Sequence, residues 1–551
     1  MNRAFVALSL GCLVAAVVLT LAPALAGPFH AYDDATYILA NRLVTAPGEQ
    51  PLLDMLLTPT VGYVVPVTVA MQALLYGAGG GEAMAFHAAA LLLHLSAALL
   101  VWWLARRLSA DMLVATALAA LFALHPLVVE PVAWATGLKD LLASVCALGA
   151  CALLLRERER PWGAMALCVL AVLSKPTAAL LPLGLLAGWW AARERPARWL
   201  RPLVVAAVVT LGVGVLSKIS HDVVIADPAR VPGGPLSALL ALGYQAAHLV
   251  WPAALHPQYF IDRAAGFSDA HAFIGLVVLA GIAVVVVWAV RGKRREQPHA
   301  LMLGALGLAA YLPVSHLLAF PRYVADSYLY LPLAALLLAL APTLARFAKR
   351  SAGARALLIA VLLLLCVPCA LRSRAQVARW RSPLALWGPL AAAHPTDARP
   401  WLLLAQGLRF AGDAKRAASA YGQAFARQRR EGRLTNYARA LFEAGRLDDA
   451  ECVIIEDAVY GKSQRRALAN LALLAIKHAR HTPRWPHYTR AALARAVPAR
   501  WPAALRAAAA KRRAQLGAAA AALPIRATWP AGRCAALRTA RLSFARWQAS
   551  Y

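Results

Sequence analysis

The sequence predicts an all-α protein in two parts, a polytopic helical membrane domain followed by a domain of helical repeats. Three observations carry that expectation. The 551 residues are 61% hydrophobic and only 15% charged, with a mean hydropathy of +0.58, which is too apolar for a soluble enzyme. About eleven apolar runs, most of them long enough to cross a bilayer, fill the first two thirds of the chain. Beyond Leu371 the composition changes: residues 372–551 hold 32 Lys or Arg against 9 Asp or Glu, so the formal charge of +31 belongs mainly to the tail.

Taken in order, residues 4–25 form an unbroken apolar run after Arg3 and read as an uncleaved anchor, although the Ala-Leu-Ala at 24–26 also resembles a signal-peptidase site. Further runs lie at 84–104, 111–125, 138–155, 161–174, 177–192, 200–217, 272–290, 299–319, 328–346 and 355–371. Basic clusters follow alternate runs: Arg106 and Arg107; Arg156, Arg158 and Arg160; Arg193, Arg195, Arg198 and Arg201; the run at 291–295; then Lys349, Arg350 and Arg355. Positive residues collect on the cytoplasmic side. The amino terminus is therefore expected inside and the carboxyl tail outside. The apolar stretch 236–252 breaks this alternation and is read as a re-entrant or interfacial helix within a long outer segment, 218–271.

Six cysteines, Cys12, Cys146, Cys151, Cys168, Cys366 and Cys369, sit in apolar runs as small hydrophobes. The pair Cys366 and Cys369 has CxxC spacing but lies inside an expected span, so no redox or metal duty and no disulfide is assigned.

The same alternation places the polar clusters on one face. They are Asp33 and Asp34 in the first outer loop, HPLVVEPVAW at 125–134 followed by Lys139 and Asp140, LSKP at 173–176, and PRYVADSYLYLP at 321–332. Lys139, Lys175 and Arg322 break the charge rule there, and a cation at the outer headgroup level calls for an anionic partner such as a lipid phosphate. Each also has a plainer reading as a side chain snorkelling to ordinary headgroups. Asp33 or Asp34 could equally cap a short helix at ATYILA. Glu130, between Pro126 and Pro131, could orient a substrate, bind a metal or hold backbone amides. Tyr323, Tyr328, Tyr330 and Trp134 suit an interfacial aromatic belt. His87 and His94 share a helix face but lack a third ligand, so the pattern assigns no cofactor and no metal site, while a divalent ion is compatible with it.

The basic tail shows repeats. Trp401, Leu404, Ala405, Leu408, Ala417, Tyr421 and Ala424 take the small and large positions of a tetratricopeptide repeat, and Leu434, Tyr437, Ala438, Leu441 and Ala450 follow about one repeat length later. The expected division is a membrane domain at 1–371, a linker at 372–395 and a repeat domain at 396–551. Stacked helix pairs form a concave surface suited to a peptide segment, and the basic charge favours anionic lipid or acidic partners.

The ordered set of Asp33-Asp34, FHAAALLLH at 86–94, HPLVVEPVAW followed by Lys139 and Asp140, LSKP, SYLYLP and the repeats resembles the transmembrane and tetratricopeptide-repeat O-mannosyltransferase-like proteins, here of a bacterial type. That resemblance implies a polytopic GT-C glycosyltransferase using a polyprenyl-phosphate sugar. It departs at one point, where the family often reads ADRYLYLP and this chain has Ser327 in place of the arginine, with Arg322 five residues earlier.

Transfer of a sugar to a hydroxyl needs a base for the acceptor proton and stabilisation of the departing phosphate. The resemblance therefore implies Asp34, Asp33 and Glu130 for the chemistry, with Asp34 preferred as the base. Lys139, Lys175 and Arg322 are implied for the donor phosphate, and His125, Trp134 and Tyr328 for acceptor or sugar contacts. The implied partners are the lipid bilayer, the polyprenyl-phosphate sugar and a protein or glycan acceptor, with no nucleic acid. A non-enzymatic membrane scaffold or transport component recruiting partners through its repeats is the other class, and the clustering of acids at one interface rather than at mid-membrane speaks for the enzyme.

Overall fold

The protein's computed structural model describes residues 3–156, 158–191, 197–224, 233–261, 263–290, 298–320, 322–428, 434–460, 464–477, 489, 492–493 and 503–515. The basic run 291–295, Arg193 and Arg195, and the tail beyond 515 lie outside the described residues. Among those residues the protein is all-α, without a strand. The chain folds as two compact units, Met1–Ser382 and Pro383–Tyr551.

The first unit begins with α1 (Arg3–Leu21), continued by a tight turn at Ala22–Ala26. A loop with short helices α2 (Arg42–Thr45) and α3 (Leu52–Leu57) leads to α4 (Pro66–Ala78) and the long α5 (Ala83–Ser109). Then come α6 (Met112–Leu124), α7 (Val129–Ala133), α8 (Leu138–Leu154), α9 (Pro161–Ser174), α10 (Leu181–Ala191) and α11 (Ala197–Val224). The unit finishes with α12 (Pro235–Val250), α13 (Ala270–Val290), α14 (Pro298–Tyr311), α15 (Tyr330–Ala348) and α16 (Ala352–Arg379). Its centre is α6 with the buried faces of α5, α8 and α15, where Phe86, Phe122, Leu118 and Tyr330 are enclosed. Outward faces of α13 and α16 are apolar and exposed, with Phe273 at 69% and Leu364 at 73%. Such faces are what lipid covers.

Among the described residues, seven helices are long and apolar enough to cross a membrane, or eight if Met112–Leu124 and Pro126–Ala133, bent by 53°, make one span. The expected eleven is therefore too many. The excess is the runs 161–174, 177–192 and 299–319, whose described residues form helices of 14, 11 and 14 residues. At 1.5 Å per residue these reach about 16–21 Å against a hydrocarbon core of about 30 Å. Proline marks one end of each. Pro176 follows an extended Lys175 and starts a separate turn, while Pro313 ends the helix before it. With seven or eight such helices, the parity that placed the tail outside is no longer fixed by count. The short α10 and α14 pack against each other through Gly184 and Gly188, where a Cβ on Gly188 would lie 2.2 Å from the Met302 Cβ. Small residues four apart permit this close approach.

The second unit is a run of helical hairpins: α17 (Pro383–Ala393), α18 (Ala398–Phe410), α19 (Ala414–Arg427), α20 (Leu434–Glu443), α21 (Leu447–Tyr460) and α22 (Gln464–Lys477), each packed on the next. Asp397 and Asp413 cap α18 and α19 by accepting backbone N–H bonds. Trp401, Leu404, Ala405, Leu408, Ala417, Tyr421 and Ala424 are all buried, as are Leu434, Tyr437, Ala438, Leu441 and Ala450. Residues 372–395, expected as a linker, are instead mostly helical, because α16 runs on to Arg379 and α17 starts at Pro383. One cysteine reading is corrected: Cys452 is disulfide-bonded, although no disulfide was expected. Sequence spacing does not reveal such pairs, which depend on Cα atoms meeting within about 7 Å.

Candidate active site

The first loop leaves α1 past Gly27, where a Cβ would sit 3.2 Å from His87 Nε2, and turns sharply into a π-helical turn at Ala35–Leu39. Asp33 and Asp34 precede that turn. Asp34 itself has helical angles, φ −60° and ψ −35°. Successive side chains on a helical turn still diverge, and the two acids have separate surroundings. Asp34 is fully buried and does not cap the turn. Its Oδ2 accepts from the His30 backbone N–H at 2.8 Å, and its Oδ1 from the Thr136 N–H at 2.9 Å and the Thr136 hydroxyl. Burial pushes its carboxyl up to about 6, against the pull of those hydrogen bonds. Asp34 thus ties the first loop to the turn ahead of α8.

Asp33 is part-exposed, and among the described residues its carboxylate makes no hydrogen bond or ion pair. Its backbone carbonyl alone is engaged, accepting from Thr36 and Tyr37 N–H. Burial pushes its carboxyl up, opposed by the nearby Lys139 and Arg322 charges and reinforced by Glu130. Here is an acid that retains all its acceptor capacity in a field of two cations.

The second part of the site comes from α7 and the start of α8. Gly137 closes against Pro131, where a Cβ would lie 2.6 Å from the Pro131 carbonyl oxygen, so the turn at Ala135–Gly137 needs glycine there. That turn presents Trp134 and Lys139. The Lys139 ammonium lies 4.4 Å from the Tyr37 ring centroid and 5.7 Å from that of Trp134. Glu130, 1% exposed at its side chain, pairs with Arg322 at 2.8 Å. Arg322 also donates to the Pro257 carbonyl and lies 5.6 Å from the Trp134 ring and 5.9 Å from that of Tyr32. Its own carbonyl accepts from Tyr328 Oη and His316 Nε2.

The third part is the break between α9 and α10. Lys175 pairs with Asp140 and lies 5.6 Å from the Tyr328 ring centroid. Asp140, Ser144, Lys175, Thr177, Ser327 and Tyr328 line a crevice together with the apolar Ala143, Ala178, Leu181, Ala310 and Leu331. Lys175 is the cation among the residues lining this crevice.

The structure therefore brings Asp33, Glu130, Lys139, Lys175, Arg322, Trp134 and Tyr328 into one connected constellation, with Asp34 bonded behind it. His125 stands apart: its Nδ1 accepts from the Leu127 N–H at 3.3 Å, and its Nε2 meets the Leu249 carbonyl at 3.1 Å. Among the described residues, Glu130 Oε2, Arg322 Nε and Trp134 Nε1 are buried without a hydrogen-bond partner. Orphaned buried polar atoms call for an explanation, and a bound ligand is one. His94 is satisfied by Tyr330 Oη and the Ala123 carbonyl.

Sequence reasoning passed over Tyr32, Thr136, Gln258, Tyr259 and Asp326. Tyr32 Oη donates to Gln258 at 2.7 Å, and Tyr259 Oη donates to Asp326 at 2.6 Å while accepting from the His256 N–H. The dense HPQYFID at 256–262 was the available signal, since so polar a stretch beside an apolar helix needs partners.

The chain is 38% identical over 192 residues to Protein O-mannosyl-transferase Tmtc1 of Drosophila melanogaster, a match covering 32% of this chain and 22% of that relative. It thus spans less than a quarter of the relative's length. No protein-family model matches the chain, and no solved structure matches it.

Proposed function

We propose that the protein is a multi-pass membrane glycosyltransferase of the GT-C class that moves a sugar from a polyprenyl-phosphate donor to a hydroxyl of a protein or glycan. The observation that carries this reading is Asp33, a carboxylate free of bonds within the field of Lys139 and Arg322. On the likeness to a protein O-mannosyl-transferase, mannose and a protein hydroxyl are the first candidates.

In this reading the acceptor oxygen bonds to the anomeric carbon as the bond from that carbon to the phosphate oxygen breaks. The acceptor proton passes to Asp33, and the lipid phosphate leaves with the electron pair, its charge met by Lys175 and Lys139. Glu130 holds Arg322 in place, and Tyr32 and Trp134 offer ring faces to the sugar. The apolar residues lining the crevice suit the first prenyl units. Asp34 positions the loop rather than reacting, because three of its roughly four acceptor sites are already bonded within the fold.

The extracytoplasmic side of a cell (inner) membrane, with the amino terminus cytoplasmic, is the proposed location. Arg156 and Arg158 follow α8 at the end opposite Lys139, and Arg346, Lys349 and Arg350 lie at the end of α15 opposite Tyr328. The positive-inside rule then points the site outward. A disulfide at Cys452 fits a repeat domain in an oxidising compartment. We take the hairpins of the second unit as tetratricopeptide repeats on the burial of their signature positions.

Purified protein in nanodiscs, given labelled polyprenyl-phosphate sugars and envelope proteins, tests the reading. Transfer is expected from a lipid-linked sugar, and Lys175→Met is expected to raise the donor KM about tenfold or more, the value of one charge-assisted hydrogen bond. A scaffold would transfer nothing from any lipid-linked sugar, and that result would end the proposal.

A further inference from the structure

The first loop approaches the site a second time, through a residue that carries no charge. After α3 the chain reverses in a tight turn at residues 60–63, where Thr60 and Tyr63 exchange backbone hydrogen bonds of 2.8 and 3.0 Å. Both central residues have positive φ, Val61 at 49° and Gly62 at 84°. A two-residue reversal of this kind needs such angles, which glycine and asparagine adopt freely. A β-branched valine is strained there. Strain of this sort persists only where the surroundings impose it, and such places cluster at ligand sites. Two contacts impose it here. Val61 packs against the buried cluster that contains Tyr37, Ile38 and Val44. Gly62 lies on α11, where a Cβ would stand 2.8 Å from the His221 Cα.

The turn delivers Tyr63. Its ring stacks on that of His221, with centroids 4.4 Å apart and planes inclined by 30°. It also packs against the cluster that contains Tyr37, and its phenol lies within electrostatic reach of those of both Tyr37 and Tyr328. These two rings stand beside the lysines of the site, Lys139 at 4.4 Å from Tyr37 and Lys175 at 5.6 Å from Tyr328. Two buried hydrogen bonds tie the same neighbourhood to the break that carries Lys175. Thr68, at the start of α4, donates to the Ser174 carbonyl at 2.8 Å, and Thr210 of α11 donates to the Ala179 carbonyl at 2.8 Å.

Both lysines have carboxylates close by. Asp140 pairs with Lys175, and Asp33 and Asp140 act on Lys139. Part of the positive charge is therefore already answered within the fold. A hydroxyl adds a hydrogen bond to an anion without burying a further charge. Bonds of this kind, to an ionised acceptor, are among the stronger ones.

We propose that Tyr63 is a donor-binding residue whose hydroxyl donates a hydrogen bond to the phosphate of the lipid-linked sugar between Lys139 and Lys175, held there by the strained turn against α11. The inference rests on the glycosyltransferase reading given above. The proton stays on the phenol oxygen, and the bond strengthens as charge gathers on the departing phosphate.

Binding and transfer are measured separately on the full chain in nanodiscs of neutral lipid. The binding probes are a radiolabelled short-chain polyprenyl phosphate and the matching polyprenol, which has the same tail without the phosphate. Wild type is expected to prefer the phosphate. Tyr63→Phe keeps the ring and its stack on His221, and is expected to melt as wild type, to bind the polyprenyl phosphate about tenfold more weakly and to bind the polyprenol unchanged. In transfer, its KM for the polyprenyl-phosphate sugar should rise by a similar factor while the acceptor KM stays the same. Gly62→Ala, which pushes the turn off α11, should weaken phosphate binding likewise, with no further loss when Tyr63→Phe is added. Additive losses would overturn the part given to the turn. Equal phosphate binding by wild type and Tyr63→Phe, or equal losses for phosphate and alcohol, would overturn the inference and leave the glycosyltransferase reading standing. Selective loss of phosphate binding in Tyr63→Phe, with no transfer by wild type, would end that reading and still support Tyr63 as a phosphate ligand. Wild type that binds the phosphate no better than the alcohol would overturn both.

Discussion

Removing Arg322 from its pair with Glu130 should be among the most damaging single changes in the membrane unit. Glu130 is 1% exposed and Arg322 14% exposed at their side chains, with 2.8 Å between Nη1 and Oε1. Glu130 Oε2 has no other hydrogen-bond partner. Arg322→Met would leave a buried carboxylate with nothing opposite it, which costs about 3–5 kcal/mol, and would also remove the bond to the Pro257 carbonyl. In a unit spanning Met1–Ser382 that corresponds to a fall in melting temperature of about 4–6 °C. Arg322→Lys keeps the charge but loses the planar fork, and should fall between wild type and Arg322→Met. The decisive variant is Glu130→Gln combined with Arg322→Met. With both charges gone, the double variant should lose less than the sum of the single losses, leaving a coupling of about 2–3 kcal/mol. Thermal unfolding of the four proteins in one detergent, followed by tryptophan fluorescence, gives the comparison. Additive losses would show that the pair contributes nothing as a pair and would refute the reasoning.

Two other outcomes follow from the same physics. The Asp34 carboxyl is pushed up to about 6 from an ordinary value near 4, so the folded state takes up its proton more readily than the unfolded chain. Its protonation therefore favours the fold at acid pH, and that contribution is lost as pH rises from about 4 through about 6. The stability difference between wild type and Asp34→Asn should change across this window and be flat above it, and a constant difference from pH 4 to 8 would contradict the assignment. For Cys452, reduction should destabilise the repeat unit by about 2–4 kcal/mol, seen as earlier unfolding of the environment of the buried Trp401. Identical melting with and without reductant would count against a structural disulfide.

The helical class and most of the spans were legible because hydropathy reports burial in lipid or core directly. Helix length was not legible in the same way. The runs 161–174, 177–192 and 299–319 are as apolar as true spans, but Pro176 and Pro313 cut the backbone hydrogen bonding where hydropathy sees no break. In the site, the charge rule singled out Lys139, Lys175 and Arg322 as cations where few belong, and the fold joins all three to one constellation. The rule did not reveal that two of them come with their own carboxylates, Asp140 and Glu130, because pairing across 35 and 192 residues depends on the fold. The choice within Asp33 and Asp34 was hidden for the same reason: Thr136, whose two bonds occupy Asp34, is 102 residues away. His125 headed a promising motif, yet its ring serves the Leu127 and Leu249 backbone.

The division of labour between the adjacent acids is the central claim, and sugar transfer by Asp33→Asn tests it most directly. Asp33 has no bond to lose, so this variant should insert and melt as wild type while its kcat falls about 10²–10⁴-fold, the usual value of a general base. Transfer at the wild-type rate by Asp33→Asn, with transfer abolished only in Asp34→Asn at unchanged stability, would contradict the account.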